Sequence, residues 1–368
     1  MKTLSVYIIY FFFSFSAGYA QHTLKGKILN AYTDKPIAGV SVYFNNTSIG
    51  TLSNEEGLFT IANAIEGELI ISSVGFERIV YKTHKESLGK KTFTFKLQPK
   101  ETVLQDVMIM PDATRQKYLN LFKENFLGIT EEADMSRITN LAAVYFVKPS
   151  NDKHGIIALS DTPLTIINRK LGYRVSFDLV QFYLNEKDGR TSFYGYTRYN
   201  EMADKKKYIK NRKRVYYGSS LHFYRALIGN VLQPEGYDIY RIREDTMKQQ
   251  PGAVQVEVKK MDIAFTTKAT DIISFDTATG LFFAKWGPKL MVQYNRKPAG
   301  KDYLAHKRFL TGSLPNGFRS YLHLQADSLG IDNYGILLNP MDVFYSGYWI
   351  YEKAANLLPF NYYPDKED

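Results

Sequence analysis

The sequence of 368 residues contains no cysteine. That excludes disulfide staples, thiolate nucleophiles and any zinc site built on sulfur. Such a chain must be held by its core alone, and at this length it can bury most of its apolar surface. Catalytic spacings are missing too. None of the 6 histidines, His22, His84, His154, His222, His306 and His323, has a glutamate three residues on, and no HExxH occurs. The ligand sets of the common zinc peptidases are therefore absent. Gly218-Ser219-Ser220 and Gly312-Ser313-Leu314 both lack the second glycine of a nucleophile elbow. Ser220 and His222 stand two apart, so on a helix they point to different sides. There is no Walker loop and no G-x-G-x-x-G. No catalytic residue, cofactor site or metal site is predicted. Only the paired carboxylates of a glycosidase stay open, because no spacing in sequence marks them.

Long apolar runs are confined to the start. Lys2 precedes a stretch from Leu4 through Ile8, Ile9, Phe11, Phe12 and Phe13 to Phe15, which ends in Ser16, Ala17, Gly18 and Ala20. This is the pattern of a secretory signal with small residues at −3 and −1, and cleavage is expected after Ala20. An uncleaved anchor or a buried element are the other readings. No later segment is apolar enough to span a bilayer. The mature chain is expected in the periplasm or at the outer membrane. An N-glycosylation-like Asn45-Asn46-Thr47 reads as a plain turn.

Charge is lopsided, with 47 basic against 37 acidic residues and a formal net charge of +10. Lys205, Lys206, Lys207, Lys210, Arg212, Lys213 and Arg214 form a basic run. In an exported protein this reads as a solvated helix face, or as a surface for anionic lipid or glycan, and no nucleic-acid partner is expected.

From Thr23 to Leu97 the chain is a series of short alternating segments divided by turn residues. Val40, Val42 and Phe44 share one face, as do Phe59 and Ile61. Phe93, Phe95 and Leu97 alternate with Thr92, Thr94 and Lys96, as a strand wet on one side requires. Asp34-Lys35-Pro36 and Asn54-Glu55-Glu56-Gly57 are the turns, with Gly57 suited to positive φ.

The residues Gly26-Lys27-Ile28, Pro36-Ile37-Ala38-Gly39-Val40-Ser41-Val42, Gly50-Thr51, Asn54-Glu55-Glu56-Gly57-Leu58-Phe59 and Ser73-Val74-Gly75-Phe76 resemble the carboxypeptidase regulatory-like domain. Leu104-Gln105-Asp106-Val107-Met108-Ile109 is similar to the segment that ends that module. The family usually has Asp where Asn54 stands. The resemblance implies a transthyretin-like β-sandwich, common on secreted and outer-membrane proteins of Bacteroidetes, and implies no reaction. Among those proteins are TonB-dependent transporters, but the remaining residues are too few for a large outer-membrane barrel.

After a linker over 101–114, Arg115 to Leu127 has helical apolar spacing, with Gly128 as its stop. Strands are expected at 143–147, 155–159, 164–167, 173–179 and 191–199, the last two a hairpin across Asp188-Gly189. Met202 to Leu232 reads as a helical pair broken at Gly218-Ser219, with Ser219 or Ser220 as N-cap. Further strands are expected at 237–242, 253–258, 272–275, 281–286 and 290–294. A last helix is expected around Tyr348 to Leu357. Tyr217 to Phe223, Asn339-Pro340 and Gly347-Tyr348-Trp349 resemble the C-terminal part of many Bacteroidetes proteins carrying the same module, which implies no activity.

The expected architecture is thus a signal peptide (1–20), an all-β transthyretin-like sandwich (21–100), a linker (101–114) and an α+β domain (115–368) with a largely antiparallel sheet. His222 and Arg225 flank an apolar helical stripe. Tyr345, Tyr348, Trp349 and Tyr351 are the densest aromatic cluster. His222, Arg225, Tyr345, Tyr348 and Trp349 are the candidate ligand contacts. For the aromatics, core packing and a sugar-stacking platform are both open. The function expected is a non-enzymatic envelope protein, with a docking or spacer module and a domain for an envelope protein or glycan partner. The alternative is a hydrolase, peptidase or glycosidase, with a site not visible in sequence. Oligomeric state is not legible.

Overall fold

The computed structural model describes residues 22–100, 110–202, 206–246, 260–296 and 317–364. The expected signal segment, the Leu104–Ile109 tail, the 253–258 strand, Lys205, His306 and Gly312-Ser313-Leu314 lie outside them. The chain divides into two compact units, residues 1–103 and 104–368.

The first unit is all β. Its strands are β1 (Leu24–Asn30), β2 (Ser41–Phe44), β3 (Gly50–Leu52), β4 (Leu58–Ile61), β5 (Gly67–Ser72), β6 (Ile79–Thr83) and β7 (Thr92–Leu97). They form two sheets, β4-β1-β7 and β3-β2-β5-β6. All pairings are antiparallel except β1 with β7. Ile28, Val42, Phe44, Phe59, Ile61, Leu69, Ile71, Phe95 and Leu97 fill the space between them. The alternation in sequence marks this core directly, because successive side chains of a strand take opposite faces. The two turns are built differently. Asn54 Oδ1 accepts from Leu58 N at 2.7 Å, so Asn serves there as Asp would. At the other turn Asn30, not Asp34, caps the backbone: its Oδ1 accepts from Tyr32 N at 2.9 Å and Thr33 N at 3.1 Å. Asp34 pairs with Lys96 at 2.6 Å instead. Gly57, at φ +73°, lies where a Cβ would stand 2.5 Å from the Ile28 carbonyl oxygen, so no side chain fits.

The second unit opens with α1 (Asp112–Leu127) and the single turn α2 (Glu131–Asp134). The helix starts three residues before Arg115, inside the expected linker. Pro111 precedes it and Asp112 sits in its first turn, where a carboxylate favours the helix dipole. The strands β8 (Ser136–Ile138), β9 (Val144–Val147), β10 (Gly155–Ser160), β11 (Leu164–Asn168), β12 (Tyr173–Asn185) and β13 (Thr191–Glu201) make a six-stranded antiparallel sheet. A register shift between Leu179 and Gln181 bends β12. Its first half pairs with β11 and its last residues with β10. α1 lays Phe122 and Phe126 on this sheet, edge-on to Phe182 at 4.8 Å and Phe177 at 4.9 Å.

Next come α3 (Lys206–Tyr216) and α4 (Ser220–Ile228). The rest is β14 (Tyr237–Thr246), β15 (Lys260–Thr267), β16 (Ile273–Asp276), β17 (Leu281–Ala284), β18 (Lys289–Tyr294), β19 (Phe318–Leu324), β20 (Leu329–Ile331) and β21 (Val343–Gly347). Five of these form the sheet β15-β14-β18-β19-β21, and three form β16-β17-β20, all antiparallel. The fold is the expected one, an all-β module followed by a unit with few helices and largely antiparallel sheets.

The last expected helix is absent. Tyr348–Tyr351 is a single 3₁₀ turn. Its apolar residues serve two cores: Trp349 joins the cluster under α4, while Ala354, Ala355 and Leu358 join the cluster under α1. One short helix cannot reach both. The backbone N–H groups of Ala354 and Ala355 instead donate to Phe126 O at 2.9 Å and Leu127 O at 3.3 Å, capping the last turn of α1.

Candidate functional site

The helical pair turns at Gly218, which takes φ +86°. A Cβ there would meet the rings of Phe318 at 2.7 Å and Tyr294 at 2.8 Å, so only glycine allows these rings to close on the corner. Ser219 is the N-cap of α4: its Oγ accepts from His222 N at 3.2 Å and donates to Tyr216 O at 2.7 Å. That hydroxyl ties the first turn of α4 to the end of α3. The capping reading of sequence holds.

His222 is 3% exposed. Its Nδ1 accepts from the Gly218 N–H at 3.1 Å, which puts the ring proton on Nε2, 3.0 Å from Glu235 Oε2. The Tyr237 hydroxyl lies 3.0 Å from Nδ1 and donates to Ser219 O at 3.2 Å. Burial drives the Tyr237 hydroxyl far above the ordinary phenol range, so it stays a neutral donor. The carboxylate–imidazole–phenol chain looks catalytic in outline. Both ring nitrogens face protein groups, and the imidazole links the Gly218 corner to Glu235.

Arg225 is likewise engaged. Its guanidinium donates to Tyr334 O at 3.1 Å, Tyr362 O at 2.8 Å and Phe360 O at 2.6 Å, and lies 3.9 Å from the Tyr363 ring centre. It pins the C-terminal segment and the 332–335 turn to α4. Trp349 is 3% exposed, and its indole N–H donates to Gly218 O at 2.9 Å. A sugar ring has no access to it, and the platform reading fails there for want of an open face. Tyr345 turns inward from β21, its hydroxyl 2.8 Å from that of Tyr224. Burial raises both phenols. Tyr348 stacks on Phe318 at 3.7 Å. His222 and Trp349 thus meet at Gly218, with Tyr348 beside them on Phe318, while Arg225 holds the C-terminal segment and Tyr345 pairs with Tyr224, all as packing and hydrogen-bonding groups.

The basic run is also divided by the fold. Lys206, Lys207 and Lys210 are exposed on α3, as a solvated face requires. Arg212 is 4% exposed. It stacks 3.9 Å from the Tyr173 ring centre and donates to Leu171 O at 2.8 Å. Arg214 pairs with Glu132 at 2.5 Å.

Among the described residues no three His, Asp or Glu side chains are grouped as a metal site would need. An open depression of about 380 Å³ borders α1 and α2, lined by Lys123, Glu124, Leu127, Ile129 and Asp134 among others. Glu124 and Asp134 are the carboxylates on its wall, and no histidine lines it. Sequence reasoning missed two groups. Glu235, the partner of His222, sits in a turn with no mark of its role. Phe344 and Ser346 alternate with Tyr345 on β21 and face the opposite side of the sheet.

No curated protein matches the sequence. A 9R-lipoxygenase structure from Cyanothece PCC8801 shares 11% identity at a TM-score of 0.17, covering 59% of this chain and 48% of its own. The chain thus spans about half of that protein. A DUF3823 family protein from Bacteroides uniformis ATCC 8492 shares 9% identity at a TM-score of 0.16, covering 85% of this chain and 99% of its own. Scores this low do not bear on the fold. The family comparison does: residues 24–109 match the model of the CarboxypepD_reg-like domain, a non-catalytic β-sandwich module.

Proposed function

We propose that this is an exported, non-enzymatic envelope protein of the Bacteroidetes type. Its signal is removed after Ala20, and it resides in the periplasm or at the outer membrane. The first unit is a docking or spacer module, and the second binds an envelope protein or glycan. The carrying observation is the saturation of the Gly218 corner. The histidine, serine and arginine that could have built a hydrolytic site spend their hydrogen bonds on Glu235, on Tyr237 and on backbone. General acid–base chemistry needs a group within reach of substrate, and these are buried or committed. Support for export is the n-, h- and cleavage pattern of residues 1–20.

The test is capture from envelope extracts beside a glycan array, with peptide and glycan turnover followed in parallel. A stable partner or array signal without turnover is the expected result. Turnover abolished by one carboxylate or serine substitution would sink the reading. So would native protein in the cytosol with its leader intact.

A further inference from the structure

We propose that Lys353 is a carbonyl-reactive amine, the side chain of this protein on which a small aldehyde condenses to an imine. It lies where the segment after the Tyr348–Tyr351 turn crosses the end of α1.

The backbone there is held on both sides. Lys353 N donates to Tyr351 O at 3.0 Å, Asn356 N donates to Lys353 O at 2.8 Å, and Ala354 N donates to Phe126 O at 2.9 Å. The stem runs over Gly128. A Cβ on that glycine would stand 3.2 Å from Lys353 Cβ and 3.3 Å from its Cγ, so the bare backbone lets the stem lie close. The head reaches β13, with Nζ 5.9 Å from the Phe193 ring centre. Phe193 is in turn edge-on to Phe126 at 5.2 Å. The amine therefore has apolar walls on the side away from solvent.

Among the described residues no acid compensates it. Glu352, its neighbour in sequence, accepts from Ser220 N at 3.3 Å. On α2, Glu132 holds Arg214 at 2.5 Å and Asn356 Nδ2 at 3.1 Å, while Glu131 holds Arg214 at 3.4 Å and also Lys170. On α1, Glu124 lines the open depression, and Asn125 Oδ1 accepts from Thr191 Oγ1 at 3.1 Å. Desolvation alone thus acts on the Lys353 ammonium and holds it at about 8. The residue as a whole is half-buried, and Nζ is not among the sealed polar atoms, so the amine is desolvated without being closed off.

An ammonium has no lone pair with which to attack, and burial without a counter-charge frees one. At pH 7.5 a group at about 8 is roughly one quarter neutral, against roughly a thousandth for an ordinary lysine. The neutral Nζ attacks the aldehyde carbon, and a C–N bond forms as the carbonyl π bond opens. The carbonyl oxygen then leaves as water with the two Nζ protons, and the C=N bond remains. The step consumes no oxidant, reductant or cofactor.

The experiment exposes the full chain briefly to propanal, then to borohydride, which traps each imine as a stable propylamine. Peptide mass mapping reads the adduct at each lysine. At pH 7.5 Lys353 should be labelled about tenfold more than the exposed Lys206, Lys207 and Lys210 of α3, because more of it is neutral. At pH 10.5, where ordinary lysines are also largely neutral, that lead should vanish. It should vanish too at pH 7.5 in unfolding concentrations of urea. Labelling of Lys353 equal to or below that of the α3 lysines at pH 7.5 overturns the proposal. So does a lead that persists at pH 10.5 or in urea, which marks local sequence or access as the cause and not the folded, uncompensated amine.

Discussion

The two units solve burial in different chemical languages. In the first, the buried cluster is made of Leu, Ile, Val, Phe and Ala alone. In the second, the cluster under α4 contains Tyr224, Tyr237, Tyr294, Trp286 and Trp349 beside aliphatic residues. An aliphatic core needs only volume and the right face. A core of phenols and indoles also needs a partner for nearly every buried polar tip, because an unmade hydrogen bond there is expensive. The partners come from far away in sequence: Trp349 finds Gly218, Tyr345 finds Tyr224, and His222 finds Glu235 and Tyr237. The second unit leans more heavily on polar matching, although Thr83 and Ser53 of the first are also buried and hydrogen-bonded and the buried Trp286 indole N–H of the second has no partner.

The sharpest way to break this contrast is Trp349→Ala. Loss of the ring and of its hydrogen bond to Gly218 should destabilise the second unit by about 3–5 kcal/mol, read from urea unfolding. Ile28→Val in the first unit should cost about 1 kcal/mol. Comparable losses would dissolve the distinction. Tyr237→Phe keeps the shape and removes one hydroxyl, so a volume-driven core would barely respond. The expected loss is about 1–2 kcal/mol, because Ser219 O is left without that donor. The same hydroxyl predicts a pH effect. Its folded value is raised above the unfolded value of 10.0, so its contribution is whole below pH 10 and is lost as pH climbs beyond it. Wild type should lose stability in alkaline urea titrations more steeply than Tyr237→Phe.

Lys353 offers a gain in place of a loss. Its stem packs beside Gly128 and its ammonium lies 5.9 Å from the Phe193 ring centre. Burial depresses it from 10.5 to about 8. A folded value below the unfolded one means that stability falls as pH drops from 10.5 to about 8 and is level below that, so the group is a burden at neutrality. Lys353→Met should add about 1 kcal/mol at pH 7 and nothing above pH 10.5, by thermal unfolding at the two pH values. The smallest effect belongs to Asn54→Asp. The turn accepts either oxygen at Leu58 N, so the midpoint should move by less than about 0.5 kcal/mol.

The degree to which each unit was legible follows the same line. Phe93, Phe95 and Leu97 announce β7 by alternation, and Gly57 announces its turn. Ser219 announces the cap of α4. Tyr345, Tyr348 and Trp349 could be recognised as a cluster but not placed, because neither the register of β21 nor the break at Gly347 has a local signature. One step of register exchanges the core face for the wet face. The inward Tyr345 was therefore visible as an aromatic, and the outward Phe344 was passed over. The helix expected over 348–357 failed for a related reason: two cores compete for one segment, and a window of residues contains neither core.

Composition and period fixed the absence of sulfur chemistry, the two-sheet module and the mostly antiparallel character of the remainder. These follow from local sterics and the burial of alternate side chains, which need no knowledge of distant partners. Tertiary structure decided that His222 is an orienting group, that Arg225 clasps the C-terminal segment, that Arg212 stacks on Tyr173, and which aromatics meet solvent. Those outcomes depend on contacts between residues 13 to 137 positions apart, such as His222 with Glu235 and Arg225 with Tyr362. Only the folded chain brings such pairs within hydrogen-bond reach.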